Sequence, residues 1–143
     1  MKNKSVATVL ALLGGPLGLH RFYLHGWRDV WGWVLPLPTL VGAVGVLRTR
    51  QLGVDDQIAW LLTPLLGFVF AACALTAIVY GLTSAERWNR RFNPAGDPDA
   101  AAGATRWFTI CVVVAAMLLG TTALVSALAY SFQHVFEYQN LNH

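Results

Sequence analysis

Residues able to do chemistry are concentrated in one polar stretch that interrupts an otherwise apolar sequence. Residues 14–33 read GGPLGLHRFYLHGWRDVWGW and contain two histidines, two arginines and one aspartate among several aromatic residues. Imidazole groups can ligate metals, whereas arginines bind phosphate and carboxylate groups. A second group of arginines lies in the sequence ERWNRRF at 86–92. The candidate residues for binding a partner or lipid are therefore His20, Arg21, Phe22, Tyr23, Arg28, Asp29, Arg87, Arg90 and Arg91.

These residues do not form a known catalytic or metal-binding motif. The sequence contains no G-x-S-x-G, H-E-x-x-H, P-loop or dinucleotide fingerprint. His20 and His25 are five residues apart, a spacing that does not place them on one helix face. Catalysis within a membrane needs ionisable groups inside the helix bundle, and the apolar runs at 58–82 and 107–130 carry no charge. We therefore predict that the chain is not an enzyme and binds no metal or cofactor.

The composition indicates that lipid rather than water surrounds most of this chain. Of its 143 residues, 56% are apolar and only 12% are charged, about half the charged fraction of a soluble domain. A water-soluble fold of this length could not bury so much apolar surface. The formal net charge is +3, but the arginines do not gather into one basic face, which argues against nucleic acid as a partner. The positive excess instead favours the lipid bilayer and its anionic headgroups as partners.

Four apolar runs predict an all-α, polytopic membrane protein with four transmembrane helices. A helix of about 20 apolar residues crosses the hydrocarbon core of a bilayer. We expect residues 1–50 to form a helical hairpin with a polar turn at 20–29. We expect residues 51–143 to form a second membrane pair, joined by a loop at 83–106. The predicted spans are about 5–24, 30–47, 58–82 and 107–130.

Two features of the first hairpin bear on this arrangement. The lysines before the first run imitate a signal peptide, but no A-x-A cleavage site follows, and His20-Arg21 stands where a cleavage region should be small and neutral. The second span contains Pro36 and Pro38, which predict a kink near its middle. Neighbouring helices can satisfy the carbonyl groups that a proline leaves free.

Small residues four positions apart predict where the membrane helices approach one another closely. The alternative is that glycine and alanine are simply common in membrane helices. Cys73 and Cys111 fall at different predicted depths, so we expect packing residues rather than a disulfide. The predicted packing residues are Gly14, Gly18, Gly67, Ala71, Ala77, Gly81, Ala116 and Gly120.

The distribution of lysine and arginine predicts an orientation in the membrane. With these four spans, placing loops 20–29 and 83–106 in the cytoplasm puts six of these residues inside and four outside. The positive-inside rule favours that arrangement over its reverse. Both termini would then lie outside. His20 and His25 would be separated from His134 and His143 by a core of roughly 30 Å, so the two pairs could not share a metal.

The loop at 83–106 is expected to carry a short helix lying on the membrane surface, followed by a flexible linker. Thr83 and Glu86 have capping-box spacing. Trp88 and Phe92 would insert into the bilayer while the three arginines of 86–92 contact lipid phosphates. The alternative is ordinary anchoring of the chain next to the membrane, without a specific binding role.

The first third of the chain resembles a TM2 domain. The sequence KNKSVATVLALLGGPLGLHRFYLHG has a lysine-rich beginning, an apolar helix ending in glycines and a turn similar to the family's G-x-H-R-F-Y-L-G. The second predicted helix lacks the Asp-containing motif common in that family. The remainder resembles longer four-helix TM2-containing proteins of proteobacteria. The resemblance implies a multi-pass protein of the bacterial inner membrane with the H-R-F-Y turn in the cytoplasm, and it implies no catalytic activity.

Together these patterns predict an integral membrane scaffold or accessory protein that interacts with other membrane proteins or with itself. The alternative is a small-solute channel or transporter subunit. The two prolines of the second span favour the alternative, because broken helices line many transport sites. The absence of charged residues in the middle of the predicted spans argues against it.

Overall fold

A computed structural model describes all 143 residues, and its regular structure is helical throughout. Two short 3-10 turns, Gly15–Leu17 and Ala101–Gly103, lie between helices. The all-α prediction is confirmed. The helices are α1 (Lys4–Leu13), α2 (Leu19–His25), α3 (Val30–Val34), α4 (Pro36–Leu52), α5 (Gln57–Leu82), α6 (Ala85–Phe92) and α7 (Trp107–Leu141).

Three segments are long and apolar enough to cross a membrane, namely Val30–Leu52, Gln57–Leu82 and Ala101–Leu141. Only 27 of the 143 residues are buried, and the exposed surface includes many large apolar side chains. Such a surface is stable in lipid and not in water. The structure therefore indicates a membrane-embedded protein with three candidate spans.

The predicted first span is not a continuous helix, and the four-span arrangement is not confirmed. Helix α1 has ten residues and is only about 15 Å long, half of a hydrocarbon core of about 30 Å. It ends at Leu13 with Gly14 as its C-cap, and Pro16 lies in the 3-10 turn that follows. Gly18 then adopts a φ of 73°, a left-handed conformation that glycine tolerates best. These residues break the predicted span into two short helices.

Helix α1 lies antiparallel to α5 and extends along only about half of its length. The Lys4 ammonium donates to the Thr83 carbonyl oxygen just after α5, at 2.8 Å. Farther along α1, Ala11 packs against Ala77 and Ala74. At the turn, a Cβ added to Gly15 would lie 2.7 Å from the Cβ of Cys73. Helix α1 therefore descends from the end of α5 to its middle.

Helix α2 runs back to the end of the helix bundle at which α1 begins. The His20 ring lies 6.0 Å from the ring of Tyr80 near the end of α5, and Leu24 packs with Ala7 and Trp88 beyond that end. Helices α1 and α2 thus form a hairpin that enters and leaves at one end of the bundle. We call this end, which comprises residues 1–4, 20–29 and 83–106, the basic end.

The positions of the termini contradict the predicted topology. The amino terminus lies with loops 20–29 and 83–106, whereas the carboxyl terminus follows α7 to the opposite end of the bundle. The prediction that both termini share a side, away from these loops, is therefore wrong. The error comes from the predicted first span. Because α1 and α2 form a hairpin that enters and leaves at one end of the bundle, the amino terminus lies at the end opposite to the one predicted.

Close contacts between small residues hold the three long helices together. Gly67 of α5 faces Ala127, Gly120 faces Ala74, and a Cβ added to Gly81 would lie 2.2 Å from a methyl group of Val113. Ala77 and Ala116 share one buried cluster with Ala11 and Ala74. Gly18 approaches the Gly32 carbonyl, whereas Gly14 faces Leu19 of its own turn, and Ala71 is half-buried.

Two glycines of α4 that the sequence spacing did not single out also make close contacts. A Cβ added to Gly42 would lie 2.8 Å from Leu66, and one added to Gly45 would lie 2.6 Å from Leu62. The helix interruption predicted from the prolines lies at Leu35, between α3 and α4, rather than near the middle of the span. Proline fits the first turn of a helix, where its missing N–H is not needed.

Candidate interaction surface at the basic end

The amino-terminal segment is fixed to the rest of the basic end by hydrogen bonds between residues that are 20 to 91 positions apart in the sequence. The Lys2 amide donates to Asn93 Oδ1 at 2.6 Å, and Asn93 Nδ2 donates back to the Lys2 carbonyl at 3.1 Å. The same carbonyl accepts from the Trp88 indole at 2.9 Å. The Asn3 amide donates to the Tyr23 hydroxyl at 2.9 Å. Residues 2–4, α2 and α6 therefore form one connected unit.

Lys4 is the most deeply buried charged residue of this unit. It is fully buried and donates to the Thr83 carbonyl at 2.8 Å and to the Thr105 hydroxyl. Burial lowers the pKa of Lys4, because a buried ammonium loses its hydration. In the sequence, Lys4 stands out only as a charge near the amino terminus. Its partners lie 79 and 101 residues away, so local spacing gave no signal for them.

The short helix predicted in the 83–106 loop exists, but it faces the bundle rather than the bilayer. The Trp88 side chain is 1% exposed and packs with Ala7, Leu24 and Tyr80. The expectation that Trp88 and Phe92 insert into lipid is wrong, because these rings form the contact between α6 and the hairpin. The N-cap of α6 is Ser84, whose hydroxyl accepts from the Arg87 amide, rather than Thr83.

The segment after α6 is held in place, although its composition predicted a flexible linker. The buried Asn89 side chain donates to the Pro98 and Ala100 carbonyls at 2.8 and 2.9 Å. A Cβ added to Gly103 would lie 2.7 Å from the Ala85 carbonyl oxygen. The loop therefore folds back onto α6. A single asparagine gives no sequence signal for such a role.

The outer face of α6 presents the predicted arginines. Arg87, Arg90 and Arg91 line an open groove of about 410 Å³ together with Ser84 and Glu86. Arg90 forms an ion pair with Glu86 one helical turn away, while Arg87 and Arg91 are exposed. Exposed arginines next to a membrane surface attract anionic groups. The arrangement can therefore bind phosphate or carboxylate groups on lipid or protein.

In the polar turn, Arg21 and Asp29 form a two-point ion pair. Arg21 Nε donates to Asp29 Oδ2 at 2.6 Å, and Arg21 Nη2 lies 3.4 Å from Oδ1. The hydrogen bond from Arg21 lowers the pKa of the Asp29 carboxyl below 3.8. The stabilisation from the pair is therefore present at neutral pH and is lost only as the pH falls through this lowered value. Arg28 remains exposed.

Aromatic rings of the turn pack against one another, although the tryptophans stay largely exposed. Phe22 stacks on Trp27 at 5.2 Å and contacts the Trp33 ring edge-on at 5.2 Å. Trp27, Trp31 and Trp33 are nevertheless 74%, 65% and 60% exposed. Tryptophan and arginine dominate the energetics of protein interfaces, and tryptophan also prefers the headgroup layer. The turn therefore holds exposed tryptophan rings and the exposed Arg28 on a backbone of fixed conformation.

The hairpin brings most of the positive charge to one end of the molecule. Eight of the ten Lys and Arg residues belong to the basic end, and the opposite end has only Arg48 and Arg50. Arg48 is paired with Asp56 at 2.8 Å. The eight at the basic end are Lys2, Lys4, Arg21, Arg28, Arg87, Arg90, Arg91 and Arg106.

Histidine, cysteine and acidic residues are dispersed, and no three of them are placed to hold a metal ion. Both cysteines are free. No protein-family model, curated protein or solved structure matches the chain. The similarity of the first third to a TM2 domain therefore stays a prediction.

Proposed function

We propose that the chain crosses the membrane three times, with its amino terminus and the basic end in the cytoplasm and its carboxyl terminus outside. The support is the division of charge, eight Lys and Arg against two, which is much more uneven than the six against four of a four-span arrangement. Short loops rich in these residues stay in the cytoplasm. Helices α1 and α2 enter from that side and turn back inside the bilayer. The bacterial inner membrane, implied by the TM2-like turn, is the expected location.

We infer that the protein is a TM2-type scaffold or accessory protein whose basic end docks a partner. One observation carries this proposal: the turn, the amino terminus and α6 are joined by hydrogen bonds into one surface that leaves arginine and tryptophan side chains exposed. Because this surface is already ordered before a partner binds, binding costs little conformational entropy. Other membrane proteins, a second copy of the chain and anionic lipid headgroups are its expected partners.

A small-solute path through a single copy is not supported by the packing. The interior between α1, α5 and α7 is filled by alanine side chains in mutual contact, with Gly81 and Gly120 pressed against neighbouring helices. A polar path needs spaced helices and polar lining groups. Transport would therefore require association of several copies.

Site-specific photocrosslinking in native membranes tests the docking proposal. A photoreactive residue at Arg28 or Arg87 is expected to give the same protein adducts, and one at Arg50, which is exposed at the opposite end, is expected to give none of them. Arg21→Ala, which releases Asp29 and loosens the turn, should reduce the adducts at position 87 severalfold while the protein remains in the membrane. Adducts to lipid alone, or the same adducts from all three positions, would reject docking of a protein partner at the basic end.

A further inference from the structure

A lateral groove of about 450 Å³ runs between α2, the beginning of the α3–α4 unit and α5. One end of the groove carries His20, Arg21 and Tyr80, whereas the other is lined by apolar side chains that include Leu35, Leu65 and Phe68. We call it the lateral groove. Its lining changes from polar to apolar along α5, so it matches an amphiphile rather than a polar solute.

The lateral groove is long enough to hold a lipid tail and runs in the direction of one. From Tyr80 to Leu65 it follows fifteen residues of α5, which is about 22 Å and more than the roughly 15 Å of one leaflet's share of the hydrocarbon core. Tyr80 lies two residues before the end of α5 at the basic end. The polar end of the groove is therefore near the headgroups, and the apolar end points toward the centre of the bilayer.

His20 supplies an unused hydrogen-bonding group at the polar end. Its side chain lines the groove and is 4% exposed. Neither ring nitrogen has a hydrogen-bond partner in the protein, and because Nδ1 is completely enclosed, Nε2 is the nitrogen that a bound head group can reach. Buried polar atoms are rarely left without a partner. In its neutral form the imidazole has one donor and one acceptor.

The charges around the polar end favour an uncharged head group. Arg21 is the only cation that lines the lateral groove, and it is already neutralised by Asp29 at 2.6 Å. An anionic head would have to compete with that carboxylate. A hydroxyl group, which both donates and accepts, fits a neutral imidazole beside a tyrosine without such competition.

We propose that the lateral groove binds one neutral glycerolipid, with its hydroxyl-bearing head at His20 and one acyl chain along α5 toward Leu65. The proposal rests on the membrane placement given above. It does not depend on a docking partner at the basic end.

Native mass spectrometry of the protein released from detergent tests this site, with dioleoylglycerol and dioleoylphosphatidylglycerol as the two probes. We expect one dioleoylglycerol per chain, bound in preference to the anionic lipid. Ala72→Trp places a large ring in the groove that Ala72 lines and should abolish the adduct. Val114→Trp, at an exposed position of α7 that does not line the groove, is the matched control and should retain it.

His20→Phe keeps the ring and removes both nitrogens, so it should weaken dioleoylglycerol binding about fivefold, the effect of one hydrogen bond. This variant keeps the test decisive if Ala72→Trp does not fold. Preference for phosphatidylglycerol would overturn the proposal in favour of an anion site at Arg21. If Ala72→Trp and His20→Phe both bind dioleoylglycerol as the unchanged protein does, the lipid binds elsewhere. If the protein is a dimer and Ala72→Trp dissociates it, a second copy of the chain occupies the groove. Photocrosslinking from Arg28 in native membranes separates the two proposals. Protein adducts formed by a protein that binds no dioleoylglycerol would reject the groove and leave the docking proposal intact.

Discussion

Replacing Trp88 with alanine is expected to lower the free energy of unfolding by about 3–5 kcal/mol, the usual effect of removing a fully buried tryptophan. The ring is 1% exposed, packs with Ala7 and Leu24, and its indole donates to the Lys2 carbonyl. Its loss opens a cavity between α6 and the hairpin and leaves that carbonyl with one hydrogen bond fewer. Reversible unfolding in detergent micelles measures the change, and limited proteolysis should show cleavage within 83–106 before the long helices are attacked.

The matched control for this change is Trp107→Ala. Trp107 begins α7 and is 78% exposed, so its replacement should alter the free energy of unfolding by less than about 0.5 kcal/mol. A further variant, Trp88→Phe, keeps a six-membered aromatic ring and removes the indole N–H together with part of the side-chain volume. Equal destabilisation by Trp88→Ala and Trp107→Ala would mean that α6 does not rest on the hairpin as described.

Replacing Gly18 with alanine should destabilise the hairpin more than the same change at any other glycine of the turn. Gly18 has a φ of 73°, and a Cβ there would lie 2.4 Å from the Gly32 carbonyl oxygen. The left-handed conformation alone costs about 1–2 kcal/mol for a residue with a side chain. The added Cβ also forces α3 away from the turn, and such overpacking costs a further amount of about 1–3 kcal/mol. The same unfolding assay should therefore show a loss of about 2–5 kcal/mol.

Gly26 provides the control that isolates backbone strain from steric contact. Its φ is 84°, and nothing lies within 4 Å of an added Cβ. The ψ of 177° at Gly26 places it in a region that only glycine occupies readily, so Gly26→Ala shows a backbone cost, without steric contact, that is at least as large as the one at Gly18. If Gly18→Ala costs no more than the about 1–2 kcal/mol of the left-handed conformation alone, the turn does not contact Gly32 and α2 does not return along the described path.

The long helices could be predicted from sequence because lipid selects for apolar residues over a fixed length. The runs at 58–82 and 107–130 lie within α5 and α7, although α7 continues as a helix to Leu141. Apolar composition and length alone did not predict the structure of the first run. An apolar stretch that turns back halfway has the same composition as one that crosses, and only Gly14, Pro16 and Gly18 indicated the difference.

The basic end could be predicted only in part. The turn at 20–29 and the loop at 83–106 were expected on the same side of the membrane, and the structure brings them into contact through His25 and Phe92, whose rings lie 6.1 Å apart. The contributions of Lys4, Asn89 and Asn93 were missed. The partners of Lys4 and Asn93 lie far away in sequence, where neither periodicity nor a motif indicates the contact.

Labelling with a membrane-impermeant maleimide most directly tests the claim that the amino-terminal hairpin turns back inside the membrane. The reporters are an amino-terminal tag with one cysteine, Asp97→Cys and Asn142→Cys, each in a Cys111→Ala background that retains the buried Cys73. Asp97 and Asn142 are both exposed. In intact cells we expect labelling at position 142 only, with the tag and position 97 labelled after the membrane is opened. Labelling of the tag together with position 142 would show that the first hydrophobic segment crosses the bilayer and would contradict this structure.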